Sequence, residues 1–335
     1  MKSLILKLKN VLQFIKQKEG GLKEYYRTHK VKINRLISRI FVYVFLITIA
    51  YVFVYPIMKM ISISFMSSTD LVNPEVIWLP KKFTFSNYAV AWKVLKGQVS
   101  LFNSIKYSTL LAVLQTVISA ITGFAFARYE FKGKKVLYTV LLMSFIIPIP
   151  ILLITQYNMF SNFYTQLGWF GNSGRGLGTY DSQIIMALFG QGVNSAILIL
   201  IFVNFFKMIP NDLYEAGKID GATPLQLFWH ITIKLSLSTI VVVFLFSFVW
   251  NWNEAYVTDF FVGDGIELFT NQLGKFDSLF PSRASEGRTE GDALQLVESF
   301  KMAATVISII PLLILYFVGQ KSFVEGIEKT GITGE

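Results

Sequence analysis

The sequence has no cysteine, and its only histidines are His29 and His230 among 335 residues. Disulfides, thiolate metal sites and a cysteine nucleophile are therefore excluded, and two imidazoles are too few for a histidine-rich metal or catalytic cluster. Charge is also scarce. Asp, Glu, Lys and Arg make up 16% of the chain, against about 25% in an ordinary soluble domain. Apolar residues make up 53% and the mean hydropathy is +0.52, which excludes a typical water-soluble enzyme. The net charge of +10 suits either nucleic acid or the cytoplasmic side of a membrane protein. Enzyme signatures are missing too. There is no Gly-x4-Gly-Lys-Ser/Thr loop to cradle ATP, and no Gly-x-Ser-x-Gly, paired-His or EF-hand pattern. Gly171-Asn-Ser-Gly-Arg-Gly-Leu-Gly178 lacks the strand before and helix after that a nucleotide fingerprint requires, so it reads as a flexible outer loop.

What is present is a set of six charge-free runs: Ile40–Met58, Tyr107–Ala127, Val136–Tyr157, Ile184–Phe206, Leu235–Asn253 and Met302–Gly319. Each has about the 20 residues that a helix needs to cross roughly 30 Å of hydrocarbon. Nearly all lack the polar stripe of a helix buried in a soluble core. The spacing predicts an all-α polytopic membrane protein with six transmembrane helices. No Asp, Glu, Lys or Arg sits inside a run away from its ends, which argues against an ion-coupled carrier. Glu254, at the end of run five, is the nearest exception.

Basic residues set the orientation. Residues 1–39 hold eleven Lys and Arg, and Arg128-Tyr-Glu-Phe-Lys-Gly-Lys-Lys135 is basic again, whereas residues 158–183 hold only Arg175. The positive-inside rule then puts both termini and the 128–135 and 207–234 loops in the cytoplasm. Segments 59–106, 158–183 and 254–301 face outward. This divides the chain into a basic cytoplasmic extension (1–39), a six-helix transmembrane domain (40–319) and a cytoplasmic tail (320–335). The extension is too long to read as a cleavable signal peptide. Its Leu4, Ile5, Leu8, Val11, Leu12 and Ile15 suit an interfacial helix on anionic lipid, and they suit a solvated tail equally.

The 207–234 loop is the informative one. Asn211 is placed to cap a helix beginning at Asp212, Gly221 to end it, and Thr223 to cap a second helix with Pro224 at its first position. Leu213, Ala216 and Ile219 share one face, and Leu225, Phe228 and Trp229 another. A two-helix knuckle of this kind needs a partner to cover it.

Glu215-Ala-Gly, Gly221 and Ile231-x-Ile233 resemble the EAA motif of ABC-importer permeases. Ile219-Asp-Gly-Ala222 is similar to the carbohydrate-carrying, MalG-like branch. Pro80…Phe85-Ser-Asn-Tyr88, Ala125-Phe-Ala-Arg-Tyr-Glu-Phe-Lys-Gly133, Ile147-Pro and Trp250-Asn-Trp-Asn253 match the same family, so the resemblance spans most of the chain. Gly217 in place of the second Ala, and Lys234 in place of a closing Pro, depart from its pattern.

The resemblance implies a non-catalytic transmembrane subunit of an importer in the cell membrane. It would pair with a second permease and with two ATPase subunits that bind ATP and Mg, and an extracytoplasmic binding protein would deliver sugar. This chain itself would hold no cofactor and no metal. The same machine with a non-sugar cargo, and an ATPase-independent carrier or scaffold, are the competing readings. By the resemblance, Glu215, Ala216, Gly217, Asp220, Gly221, Phe228 and Trp229 form the ATPase contact, although local capping and packing account for the same residues. For the solute pathway the candidates are Gln156, Gln191, Asn194, Trp250, Asn251, Asn253 and Glu254. Indoles stack on sugars and amides bond hydroxyls, yet Trp also anchors membrane interfaces and amides also join helices. The outer segment Phe276–Gln295 is polar around Ser282–Asp292 and is expected to serve the binding protein, through Arg283 and Arg288 or Glu286 and Glu290, rather than the membrane fold. A tolerated loop insertion with no role is the competing reading.

Overall fold

The structure, a computed structural model, describes residues 2–167, 178–284 and 297–331. No strand occurs among them. The helices in chain order are α1 (Lys2–Ser64), α2 (Ser68–Leu71), α3 (Ser86–Val94), α4 (Gly97–Arg128), α5 (Lys134–Ile146), α6 (Ile149–Leu167), α7 (Asp181–Leu188), α8 (Ser195–Met208), α9 (Asn211–Ile219) and α10 (Pro224–Leu227). A π-helical turn, Phe228–Ile233, follows, then α11 (Leu237–Asn253), α12 (Tyr256–Phe261), α13 (Phe269–Gly274), α14 (Phe276–Ala284) and α15 (Val297–Gly331). Residues 1–60 form one unit and 61–335 the other. In the first unit, side chains 34–58 are all exposed, the state expected of an apolar helix whose partner is lipid.

The second unit is organised around α4. Its buried residues include Ser100, Ser104, Ser108, Ala112, Thr116, Ala120 and Gly123, which recur at helical spacing as a stripe of small side chains. Phe102, Val113, Val117 and Ile121 on other faces are exposed. Small residues let backbones approach where no hydrophobic force distinguishes helix from lipid. At Gly123 a Cβ would stand 2.6 Å from the Cβ of Phe202 and 3.2 Å from the backbone nitrogen of Val203. Helix α8 therefore crosses α4 in near backbone contact.

Among the described residues, three helices are long and apolar enough to cross a membrane unbroken: the portion of α1 from Asn34 to Ser64, α4, and Val297–Ser322 of α15. Runs three and four are interrupted, and the helices reach six spans when each bent pair counts as one. Run three bends by 107° between α5 and α6. There Ile147 is extended (φ −70°, ψ 123°), because a residue before proline is pushed out of the helical region. Run four is α7, a turn and then α8, not one helix. Run five is α11, which follows the π-helical turn after an 85° bend.

A layer of short helices covers the end of α4 that begins at Gly97. Phe269, Phe276, Phe280 and Phe300 form a fully buried cluster with Ala91, Val94 and Leu95. Asn103 Nδ2 donates to Glu267 O (3.1 Å) and Phe269 N–H to Ser104 Oγ (2.7 Å), so α4 grips α13 directly. Lys275 lies 2.6 Å from Asp259 and 3.1 Å from Asp264, and the hydrogen bond to Asp259 pushes its pKa up. The first nine residues of the segment that the sequence assigns to a binding protein are thus part of the fold. Phe276 and Phe280 are core residues, and Arg283 is spent internally, donating to Val94 O (2.6 Å) and Gln272 Oε1 (2.7 Å). The rest of that segment, with Glu286, Arg288 and Glu290, lies outside the described residues, as does most of the Gly171–Gly178 loop.

Candidate functional site

Two places carry the candidate chemistry: a cavity at the helix breaks, and the loop between α8 and α11. The cavity has a volume of about 120 Å³ and is walled by α4, the α5–α6 break, α7, the α7–α8 turn and the end of α11. Gln156, Gln191, Asn194 and Asn251 all line it, as the sequence reading expects, and Tyr107, Gln115, Gln183 and Ser195 join them. Among the described residues, no Asp, Glu, Lys or Arg is in the wall.

The α7–α8 turn owes its shape to Gly190 (φ +70°) and Asn194 (φ +54°), both left-handed. Glycine takes this geometry freely, and asparagine takes it at modest cost. A Cβ at Gly192 would collide with the Gln115 carboxamide, so glycine lets the turn rest on Gln115. Across the cavity Asn251 Nδ2 donates to Ser247 O (2.8 Å) and to Gln115 Oε1 (3.1 Å), and Ser247 Oγ bonds the same Gln115 oxygen. Gln115 Nε2, Asn251 Oδ1, both amide atoms of Gln183 and Ser195 Oγ are buried and have no partner. Buried polar atoms without partners cost about 1–3 kcal/mol each, so this wall has hydrogen-bonding capacity left for a polar occupant.

The remaining pathway candidates are elsewhere. Trp250 stacks on Phe246 (centroids 5.6 Å apart), Asn253 is exposed, and Glu254 Oε1 accepts the Val257 N–H (2.8 Å) at the start of α12. Gln115 and Ser195 were legible by the rule that picks out Gln191, whereas Gln183 lies just outside run four. Gln115 is a lone amide amid the apolar run Tyr107–Ala127, where only interhelix bonding or a cavity can satisfy it.

In the loop, Thr223 caps α10 in a reciprocal capping box with Gln226, and Gly221 closes α9 at φ +78°, both as expected. Asn211 does not cap. It is the first residue of α9, and its Oδ1 accepts from Arg128 Nη1 (2.6 Å). Arg128 also donates to the carbonyls of Phe206 and of Ile209 (2.6 Å), and its guanidinium lies 4.1 Å from the Tyr214 ring centre. Tyr214 in turn bonds Thr232 through its hydroxyl (2.8 Å). Glu215, Ala216, Asp220 and Gly221 are exposed. So are Ile219, Leu225 and Trp229, at 86%, 66% and 54%, an uncovered apolar surface of the kind that marks an interaction site. Phe228 is not available to a partner. It is buried against Phe124 (5.0 Å between centroids). Gly217 is explained by packing, because a Cβ there would approach Leu227 Cδ2 to 2.6 Å.

Residues 115–329 match the family described as binding-protein-dependent transport system inner membrane component. The chain belongs to this family. It is a permease subunit of an ABC importer and a multi-pass membrane protein. The permease is 24% identical to the arabinooligosaccharides transport system permease protein AraQ of Halalkalibacterium halodurans, over 85% of this chain and 93% of that one. It is 26% identical to the galactooligosaccharides transport system permease protein GanQ of Bacillus subtilis, over 91% and 99%. With the maltose/maltodextrin permease MalG of Vibrio vulnificus the identity is 26%, over 70% and 72%. A crystal structure of a bacterial ABC transporter involved in the import of the acidic polysaccharide alginate shares the permease's fold, with a TM-score of 0.64, 24% identity, and coverage of 86% of this chain and 96% of that one.

Proposed function

We propose that this permease imports neutral oligosaccharides across the cell membrane as one of two paired permeases, with a binding protein delivering the sugar outside and two ATPases, holding ATP and Mg, gripping the 207–234 loop inside. The observation that carries the cargo reading is the cavity wall of uncharged amides and hydroxyls. Hydroxyl-rich solutes exchange hydrogen bonds with such groups, whereas a polyamine or a carboxylated sugar would enter with its charge unpaired. The sugar-transporting relatives support the same reading. An ATPase-independent carrier has less support, since no intramembrane charge is available to couple an ion gradient. Uptake of tritiated maltotriose, arabinotriose and galactotriose by cells with and without this chain tests it. Import of a charged solute with none of the three sugars taken up defeats the cargo reading.

The six apolar runs are read as six spans with both termini inside, in keeping with the up to six spans that the helices allow. The absence of native cysteine makes this testable with single probes. A cysteine at position 131 is expected to react with an impermeant maleimide only after the membrane is opened; labelling from outside reverses the orientation.

Glu215, Ala216, Asp220, Gly221 and Trp229 are the residues we assign to the ATPase contact. Gly221→Pro replaces a φ of +78° with one near −65° and removes the N–H donated to Lys218 O. Glu215→Lys reverses an exposed charge. Neither touches a span, so both variants are expected in the membrane at normal levels with uptake reduced several-fold. Unchanged uptake in both would remove the assignment.

A further inference from the structure

The cavity's two central amides are oriented by a chain of hydrogen bonds that leaves no freedom to flip. The Ser247 carbonyl only accepts, so the Asn251 atom 2.8 Å from it must be the amino group Nδ2. That amino group also points at Gln115 from 3.1 Å, so the Gln115 atom there must be the carbonyl Oε1. Two atoms are then left over, both in side chains at most 2% exposed: Gln115 Nε2, a donor, and Asn251 Oδ1, an acceptor, each without a partner. Both residues belong to the cavity wall.

A donor and an acceptor left free on one bonded pair are the complement of a hydroxyl group, which accepts one hydrogen bond and donates another. A carboxylate only accepts and an ammonium only donates, so each would satisfy one atom and face the other unfavourably. From this we infer that Gln115 Nε2 and Asn251 Oδ1 together hold one hydroxyl of the transported solute, so that this permease touches its cargo directly. Gln183, also unpartnered at both amide atoms, offers a second donor–acceptor pair in the same wall. The inference rests on the oligosaccharide reading and sharpens it from a cargo class to a contact.

The test uses the complete importer in proteoliposomes, with rates normalised to assembled complex. The probes are the tritiated trisaccharide transported best and its monodeoxy derivatives. Gln115→Met and Asn251→Leu each remove one free atom. Gln115→Glu keeps an oxygen for Ser247 and Asn251 while replacing the donor, which guards against a variant that simply misfolds. Each is expected to lower the maximal uptake rate about tenfold, the usual scale for one lost buried hydrogen bond. The half-saturation for the binding protein should stay fixed, because delivery precedes the contact. One monodeoxy derivative should be transported about tenfold more slowly by the wild type and no more slowly still by Gln115→Met. If every derivative loses the same factor in the wild type and the variants, the two atoms hold only water and the inference fails while the cargo reading stands. If the wild type moves none of the three sugars, the cargo reading itself has failed, and the inference falls with it.

Discussion

Gly123→Leu is expected to abolish accumulation of folded permease. The α4–α8 crossing brings the backbone of Phe202 and Val203 against this position, and a Cβ alone would stand 2.6 Å from Phe202 Cβ. Backbone cannot rotate away as a side-chain tip can, so the helices must separate. Forcing methylenes into a packed interface costs typically 1–3 kcal/mol and sometimes more. Here the separation would spread along the neighbouring stripe and open the contacts of Leu198, Phe202 and Phe206, all completely buried. Against a total stability of about 5–15 kcal/mol, leucine is expected to leave little protein in the membrane. Gly123→Ala, with one added methyl, should survive with a lowered melting midpoint in detergent. Leucine at wild-type yield and midpoint would mean that the close crossing does not bear on stability.

Arg128→Ala is expected to cut solute uptake at least tenfold while the chain still inserts. This guanidinium bonds the carbonyls of Phe206 and Ile209 and the side chain of Asn211, and it stacks on Tyr214. It therefore joins the end of α4 to both sides of the corner where α8 becomes α9. Removing it frees two carbonyls and a cation–aromatic contact, a loss of roughly 2–4 kcal/mol concentrated at one joint. Lysine cannot reproduce a planar fork with several donors, so Arg128→Lys is expected to recover only part of the uptake. ATP hydrolysis measured beside uptake gives the decisive comparison. Hydrolysis that persists without transport identifies a broken linkage, and full uptake in Arg128→Ala would show that the joint is dispensable.

Much of this architecture was legible in the sequence because its causes are local. Thr223, Pro224 and Gln226 specify a capped helix start by themselves, and Gly221 specifies a stop. Charge-free runs mark apolar helices wherever they occur. What escaped was set by contacts between distant segments. Asn211 has the chemistry of a cap, but Arg128, eighty-three residues earlier in the chain, claims its side chain. Phe228 looks like an exposed anchor until Phe124 and Phe206 are folded around it. The breaks in runs three and four were signalled by Pro148 and by Gly190, Gly192 and Asn194, yet hydropathy averaged over twenty residues passes over them. In the cavity, four of the six amides lay in plain view. Pairing Gln115 with Asn251 required bringing together residues 136 apart, which no periodicity encodes.

Helix α4 is 32 residues long with no proline in its interior, which at 1.5 Å per residue makes a rod of about 48 Å. Near its start it holds α13 through Asn103 and Ser104, midway it presents Gln115 to the cavity, and at its end Arg128 holds the α8–α9 corner. A rod this stiff neither stretches nor buffers. Whatever shifts one end reaches the other as tilt or rotation before any slack is taken up. The short-helix layer, the cavity and the 207–234 loop are thereby kept to a single clock, so that a mutation which slows one of them should be felt as delay at all three.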